Sequence, residues 1–148
     1  MLAAGRYYLT NGTDRRCGKF YDLLRSCGFK FSRELIDETL HIFGDEEIIG
    51  SGNKYVTRYG LAQKLVNMTY KNFFICSDYI EGIDYSGCDC PLDSVILAEL
   101  PKIGTVWSKL TKEEYVLCQN RIGDILRNTE LDAELRQLGN MAFDFLHW

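Results

Sequence analysis

A chain of 148 residues, of which 46% are hydrophobic and 26% charged, fits one domain over residues 1–148, since a chain of this length buries roughly 68–70% of the surface its unfolded form exposes. With 17 Lys+Arg against 21 Asp+Glu and a net charge of -4, the balance argues against a nucleic-acid backbone, which would want a basic face, so such a partner is not expected. The longest aliphatic run, Val95-Ile96-Leu97-Ala98, falls far short of the ~20 residues that span a bilayer, and the opening MLAAGRYYLTNG lacks the basic and apolar regions of a secretory leader.

Thr13-Asp14 caps a first helix that carries Cys17, Phe20, Leu24 and Cys27 at helical spacing and ends at Gly28. Ser32 is the expected N-cap of a second, ELIDETLHIFGDEEI, with Ile36, Leu40 and Phe43 on one stripe and fraying near Gly50-Ser51-Gly52. A third pattern, Tyr55, Tyr59, Leu61, Leu65 and Met68, is less regular and open to a break at Gly60. A fourth, YKNFFICSDYIE, sets Phe73, Phe74, Ser77 and Ile80 on neighbouring turns and closes at Gly82.

DYSGCDCP at 84–91 reads as a turn, with Pro91 at the first position of the next helix. That helix, residues 91–110, is the most apolar in the chain and the expected buried centre of a bundle, with Pro101 kinking or splitting it. Thr111-Lys112-Glu113-Glu114 has the Thr-x-x-Glu form of a capping box and opens a helix through Tyr115, Cys118, Ile122, Ile125 and Leu126. A last segment starts near Thr129, pauses at Gly139-Asn140 and ends in MAFDFLHW. No sustained period-two alternation or internal repeat is visible, so the expected fold class is all-α, about seven helices.

Chemistry-bearing patterns are few. Cys17, Cys27, Cys76, Cys88, Cys90 and Cys118 are expected to be reduced, mostly buried thiols, because a disulfide scaffold would be shorter and poorer in apolar residues. His41 and His147 are the sole histidines, so a Cys-His nucleophile would need one of them beside a cysteine that sequence cannot place. Cys88-x-Cys90 lacks the second pair of a zinc site, and there is no phosphate loop or H-E-x-x-H pattern. Neither a cofactor nor a metal is expected, and the reading is not that of an enzyme. Asn11-Gly12-Thr13 and Asn67-Met68-Thr69 match the glycosylation pattern, which matters only on the secretory route.

Three stretches carry a resemblance. Ile36-x3-Leu40-x2-Phe43-Gly44-Asp45-Glu46 resembles the homology 3 motif of the Bcl-2 family of apoptosis regulators, in which spaced apolar residues precede Gly-Asp. EGIDYSG at 81–87 resembles the family's homology 1 sequence Asp-Gly-Val-Asn-Trp-Gly-Arg, and QLGNMAFDFLHW at 137–148 resembles homology 2, with Gly139 in register. Glu47 stands where a fourth apolar residue would fall, Tyr85-Ser86 replace Trp-Gly, and Gly87 replaces the arginine.

The resemblance implies a Bcl-2-like bundle around the 91–110 helix, with a surface groove that sequesters the amphipathic homology 3 helix of pro-apoptotic proteins. Tyr55, Tyr59, Phe73, Phe74, Ser77 and Ile80 would line the groove, with Asp84 and Tyr85 at its rim. Ile36, Leu40, Phe43, Gly44 and Asp45 would form the homology 3-like helix, as a wall of the bundle or, alternatively, as a ligand for another groove. Arg58 or Lys71 would stand in for the missing arginine. The motif erosion and the absence of a C-terminal anchor suggest a virus-encoded pro-survival protein of the host cytoplasm, with peripheral mitochondrial association a further option. A homodimeric helical adaptor without an apoptotic ligand is the competing reading.

Overall fold

The computed structural model describes residues 14–44, 48–50, 53–55, 59–77, 80–101 and 103–147, with side chains placed over 18–43, 59–77, 80–101 and 103–147. Within them the chain is helical. The seven α-helices are α1 (Asp14–Ser26), α2 (Glu34–Gly44), α3 (Tyr59–Thr69), α4 (Ser94–Ala98), α5 (Lys112–Arg127), α6 (Ala133–Arg136) and α7 (Met141–Leu146). A π-helix, Tyr70–Ile75, continues α3, and a 3₁₀ turn spans Trp107–Lys109. One small antiparallel hairpin, β1 (Ile48–Gly50) with β2 (Asn53–Tyr55), lies between α2 and α3, where the sequence pattern gave no strand.

The first helix stops as its sequence requires. Gly28 adopts φ +64°, its N–H donates to the Arg25 carbonyl at 3.0 Å, and Phe29 N–H reaches back to Leu24 at 2.9 Å. These bonds satisfy carbonyls that a helix end otherwise leaves open. Phe29 is itself left-handed at φ 59°. Its ring packs on Tyr21 and Phe74, and its carbonyl accepts from the Tyr70 hydroxyl at 2.9 Å, so tertiary contacts hold a conformation that the side chain disfavours.

The centre of the molecule is α3, not residues 91–110. Tyr59, Gly60, Ala62, Gln63, Leu65, Val66, Asn67 and Thr69 are all buried, which leaves α3 enclosed on nearly every side. It packs on α2, α5 and the 3₁₀ turn. Gly60 lies inside the helix without breaking it, because the Trp107–Ser108 backbone crosses there; a Cβ would sit 2.1 Å from the Trp107 carbonyl oxygen.

The expected 91–110 helix shrinks to the five residues of α4. Asp93 caps it from an extended backbone, accepting from the amides of Val95 and Ile96 at 3.0 Å each, so Pro91 and Leu92 stay outside the helix. Pro101 lacks an N–H and disfavours helical backbone at Leu100, and the helix ends at Ala98. Leu92, Ile96, Leu97, Leu100 and Leu110 still reach the core, whereas Val95 and Val106 are exposed. The Thr111 capping box forms in both directions: Glu114 N–H donates to the Thr111 hydroxyl at 3.2 Å, and Thr111 N–H donates to the Glu114 carboxylate at 2.9 Å.

Gly60→Ala is expected to destabilise the fold by roughly 1–3 kcal/mol, since its Cβ would meet fixed backbone. Gly139, at φ +58°, has the Ser86 and Cys88 carbonyl oxygens 2.5 and 2.8 Å from a Cβ position, so Gly139→Ala should be at least as costly. Gly87→Ala, which meets nothing within 4 Å, is the control, expected within ~0.5 kcal/mol of wild type in urea unfolding.

Candidate functional site

Between α3 and α5 runs a buried segment, Cys88–Leu92, with no regular structure of its own. Buried amides and carbonyls need partners, and here two glutamines supply them. Leu92 N–H donates to Gln63 Oε1 at 3.1 Å while Gln63 Nε2 donates to the Leu92 carbonyl at 2.8 Å. Cys90 N–H donates to Gln119 Oε1 at 3.0 Å while Gln119 Nε2 donates to the Cys90 carbonyl at 2.7 Å. Each side chain thus copies the pairing that a neighbouring antiparallel strand would provide. Pro91, between them, has no N–H to satisfy.

Charged and phenolic groups extend the network outward. Arg33, at the start of α2, grips Asp89 with two bonds, Nε to Oδ2 at 2.7 Å and Nη2 to Oδ1 at 3.1 Å. The Tyr115 hydroxyl donates to the same carboxylate at 2.8 Å and accepts from Asn67 Nδ2 at 3.0 Å. Asp89 is buried and Arg33 only half so, which leaves the guanidinium as the lid over the carboxylate. The Asp89 bonds raise the Arg33 pKa; burial, then the Asp89 charge, pushes the Tyr115 phenol well up. Asp93 is held below the usual carboxylate range: burial opposes this, but the Ile96 and Val95 amides and the Lys64 ammonium at 2.9 Å outweigh it.

The thiols beside the network are quiet. Burial, and then the Asp89 charge, pushes Cys88 up to about 12, burial raises Cys90 well above its ordinary value, and burial brings Cys118 to about 11. Protonated buried thiols are poor nucleophiles. Cys27 and Cys76 are exposed, and all five are free; the Cys17 side chain lies outside the described residues. His41 is exposed on α2, and His147 sits against the Phe143 carbonyl, 3.7 Å from Glu99. Among the described residues no group of three His, Cys, Asp or Glu is placed to hold a metal, and no helix is long and apolar enough to cross a membrane. Asn67, in the second glycosylation pattern, is fully buried.

The expected groove residues divide by exposure. Tyr59 and Phe74 are closed into the core and reach a ligand only by repacking. Phe73, Ile80 and Tyr85 are half-buried along the core's edge. Ser77 is exposed, its hydroxyl donating to the Asn72 carbonyl at 2.6 Å. Asp84 is exposed too, and hydrogen bonds from Ser86, whose amide lies 2.9 Å away, lower its pKa. The Tyr55 side chain, Asp45 and Arg58 lie outside the described residues. On the homology 3-like helix Ile36 and Phe43 are buried, Leu40 is half-buried and Gly44 is the last helical residue. Lys71 does not stand free on a rim: it is buried and paired with Asp144 at 2.5 Å.

The homology 1-like and homology 2-like stretches meet. Asn140 N–H donates to the Cys88 carbonyl at 2.9 Å, Asn140 Nδ2 donates to the Gln119 carbonyl at 2.9 Å, and Gly139 seats directly on the Ser86 and Cys88 carbonyls. Sequence reading singled out Gly139, Asp84 and Tyr85 but missed Gln63, Asn67, Asp89 and Gln119, whose polar character gives no pattern cue to burial. Comparison with protein-family models, curated proteins and solved structures finds no significant match to this chain.

Gln119→Leu is expected to strand the Cys90 amide and to leave its carbonyl only the 3.5 Å bond from Asn67 Nδ2, at a cost of about 2–5 kcal/mol, below the ceiling of two fully unsatisfied groups at ~1–3 kcal/mol each. Urea unfolding measures it, with exposed Asn120→Ala as the near-neutral comparison.

Proposed function

We propose that this chain is a Bcl-2-type regulator that suppresses apoptosis by sequestering the amphipathic homology 3 helix of a pro-apoptotic protein. The observation that carries the reading is the seating of Gly139-Asn140 on Ser86 and Cys88. It joins two of the three motif-like stretches into one unit, the third being the apolar stripe of α2. The segments from Phe73 to Tyr85 offer the ligand surface: half-buried Phe73, Ile80, Ile83 and Tyr85 supply apolar contacts, and exposed Asp84 supplies a fixed charge. Recognition of this kind needs apolar pockets for a helix's i, i+3 or i+4 and i+7 anchors and a polar group or two to set register.

Two features narrow the ligand range. Gly87 cannot make the charge-assisted bond that the family's arginine gives to the ligand's aspartate, worth roughly 1.5–3 kcal/mol, and Lys71 is already engaged with Asp144. With the 91–110 stretch reduced to α4 and α3 enclosed, the receiving wall is the π-helical continuation of α3, through Phe73 and Ile75. The protein acts in the host cytoplasm or at the mitochondrial surface, consistent with a compact viral inhibitor.

Calorimetric titration with a panel of pro-apoptotic helix peptides is expected to show micromolar or tighter binding to a few members. Ile80→Glu should abolish that binding while leaving the thermal transition in place. Absence of binding across the whole panel overturns the reading. The second reading, a homodimeric adaptor, is favoured by Leu117 and Ile125, both exposed on α5; it requires a mass in sedimentation that rises with concentration and falls back in Leu117→Glu.

A further inference from the structure

The rod that begins at Tyr59 changes its winding at Tyr70. Over Tyr70–Ile75 the backbone is π-helical, and Cys76 N–H donates five residues back, to the Lys71 carbonyl, at 2.9 Å. A π-turn takes in one residue more than an α-turn and is rare, so one that persists is held by its surroundings. Part of the reason is crowding. Tyr70, Lys71 and Phe74 are buried while Phe73 and Ile75 press on the core, a face broader than an α-helix offers over so few residues.

Crowding by aromatic rings does not account for Lys71. Its ammonium is buried 2.5 Å from Asp144 of α7, with the Phe145 ring 5.6 Å away. A buried ion pair is weak support for stability, because desolvation offsets the attraction; its best-attested use is to fix register. Asp144 is well placed to do so. Its helix is docked through Asn140 on the Cys88 carbonyl. On its other flank the π stretch is tied by the Tyr70 hydroxyl to Phe29.

We infer that the Lys71–Asp144 pair is a register lock, selecting the π winding of residues 70–75 over the α alternative and so fixing where the chain departs toward residues 76–85. In the α alternative Cys76 N–H would bond to the Asn72 carbonyl, which now accepts from the Ser77 hydroxyl. Every side chain beyond Lys71 would rotate about the helix axis, carrying Ser77 and the following rim with it. Through this lock the seating of α7 sets the position of that rim. The inference stands whether or not the rim binds a helix.

The test is the structure of Lys71→Met/Asp144→Leu, solved by crystallography or NMR. The expected result is a folded protein in which residues 70–75 rewind as α and the through-bond coupling of the Cys76 amide moves from the Lys71 to the Asn72 carbonyl. A π winding unchanged in this variant overturns the proposal and assigns the register to aromatic packing. Should the variant lose its cooperative transition, Lys71→Met/Asp144→Asn, which also removes the pair, is read by the same coupling, and the same two outcomes decide.

Discussion

An extended backbone carried through the middle of a protein must have its amides and carbonyls answered, and here the answer comes from the side chains of two helices. Gln63 of α3 and Gln119 of α5 each pair with both polar groups of one residue, Leu92 and Cys90. Without them three buried groups would be stranded, at ~1–3 kcal/mol each, and the Cys90 carbonyl would keep only a 3.5 Å bond from Asn67 Nδ2. The segment therefore acts as a spacer: α3 and α5 meet largely through it, and Tyr115, Asn67 and Asp89 complete the contact between them.

Charges are placed where helices must be fixed to this spacer. Arg33 ties the start of α2 to Asp89, Lys64 holds the α4 cap at Asp93 while lying 5.1 Å from the Trp107 ring centroid, and Lys71 meets Asp144 on α7. Each pair joins distant elements; Asp89 lies inside Cys88–Leu92, Asp93 directly follows it, and Lys71–Asp144 is the most buried of the three. The surface pair Lys112–Asp37, between α5 and α2, is exposed and adds little by comparison. Specific position, more than gross stability, is what these pairs supply.

What the sequence revealed follows the same physics. Local signals held: the Thr111-Glu114 box and the stop at Gly28 depend on neighbours within a turn. Helix type was legible because 3.6-residue periodicity is local. Which helix lay at the centre was not, since Gln63, Asn67 and Thr69 mark α3 as half-solvated while the apolar 91–110 stretch looks like a core rod. Hydrogen bonds reverse both impressions. Thr69 bonds to the Leu65 carbonyl at 2.7 Å, the amides bond to the spacer, and Asp93 with Pro101 confines the apolar stretch to a single short helix. The Cys-Asp-Cys-Pro run of the spacer reads as part of an exposed turn for the same reason: buried irregular backbone is recognisable only from partners far away in the chain. Of the residues expected to face a ligand, Phe73, Ile80 and Tyr85 are half-buried, while the closure of Tyr59 and Phe74 into the core had no local signal.

The two glutamine clasps lie symmetrically along the chain: Gln63 is 29 residues before Leu92, and Gln119 is 29 residues after Cys90. During synthesis the first clasp can close while the second partner has yet to be made. A nascent chain thus has Leu92 answered and Cys90 without its clasp until Gln119 is made, and the Cys88 carbonyl waits longer, for Asn140. The interior is accordingly a seam that the segment around Gln63 can line but that only residues from Gln119 to Asn140 can close.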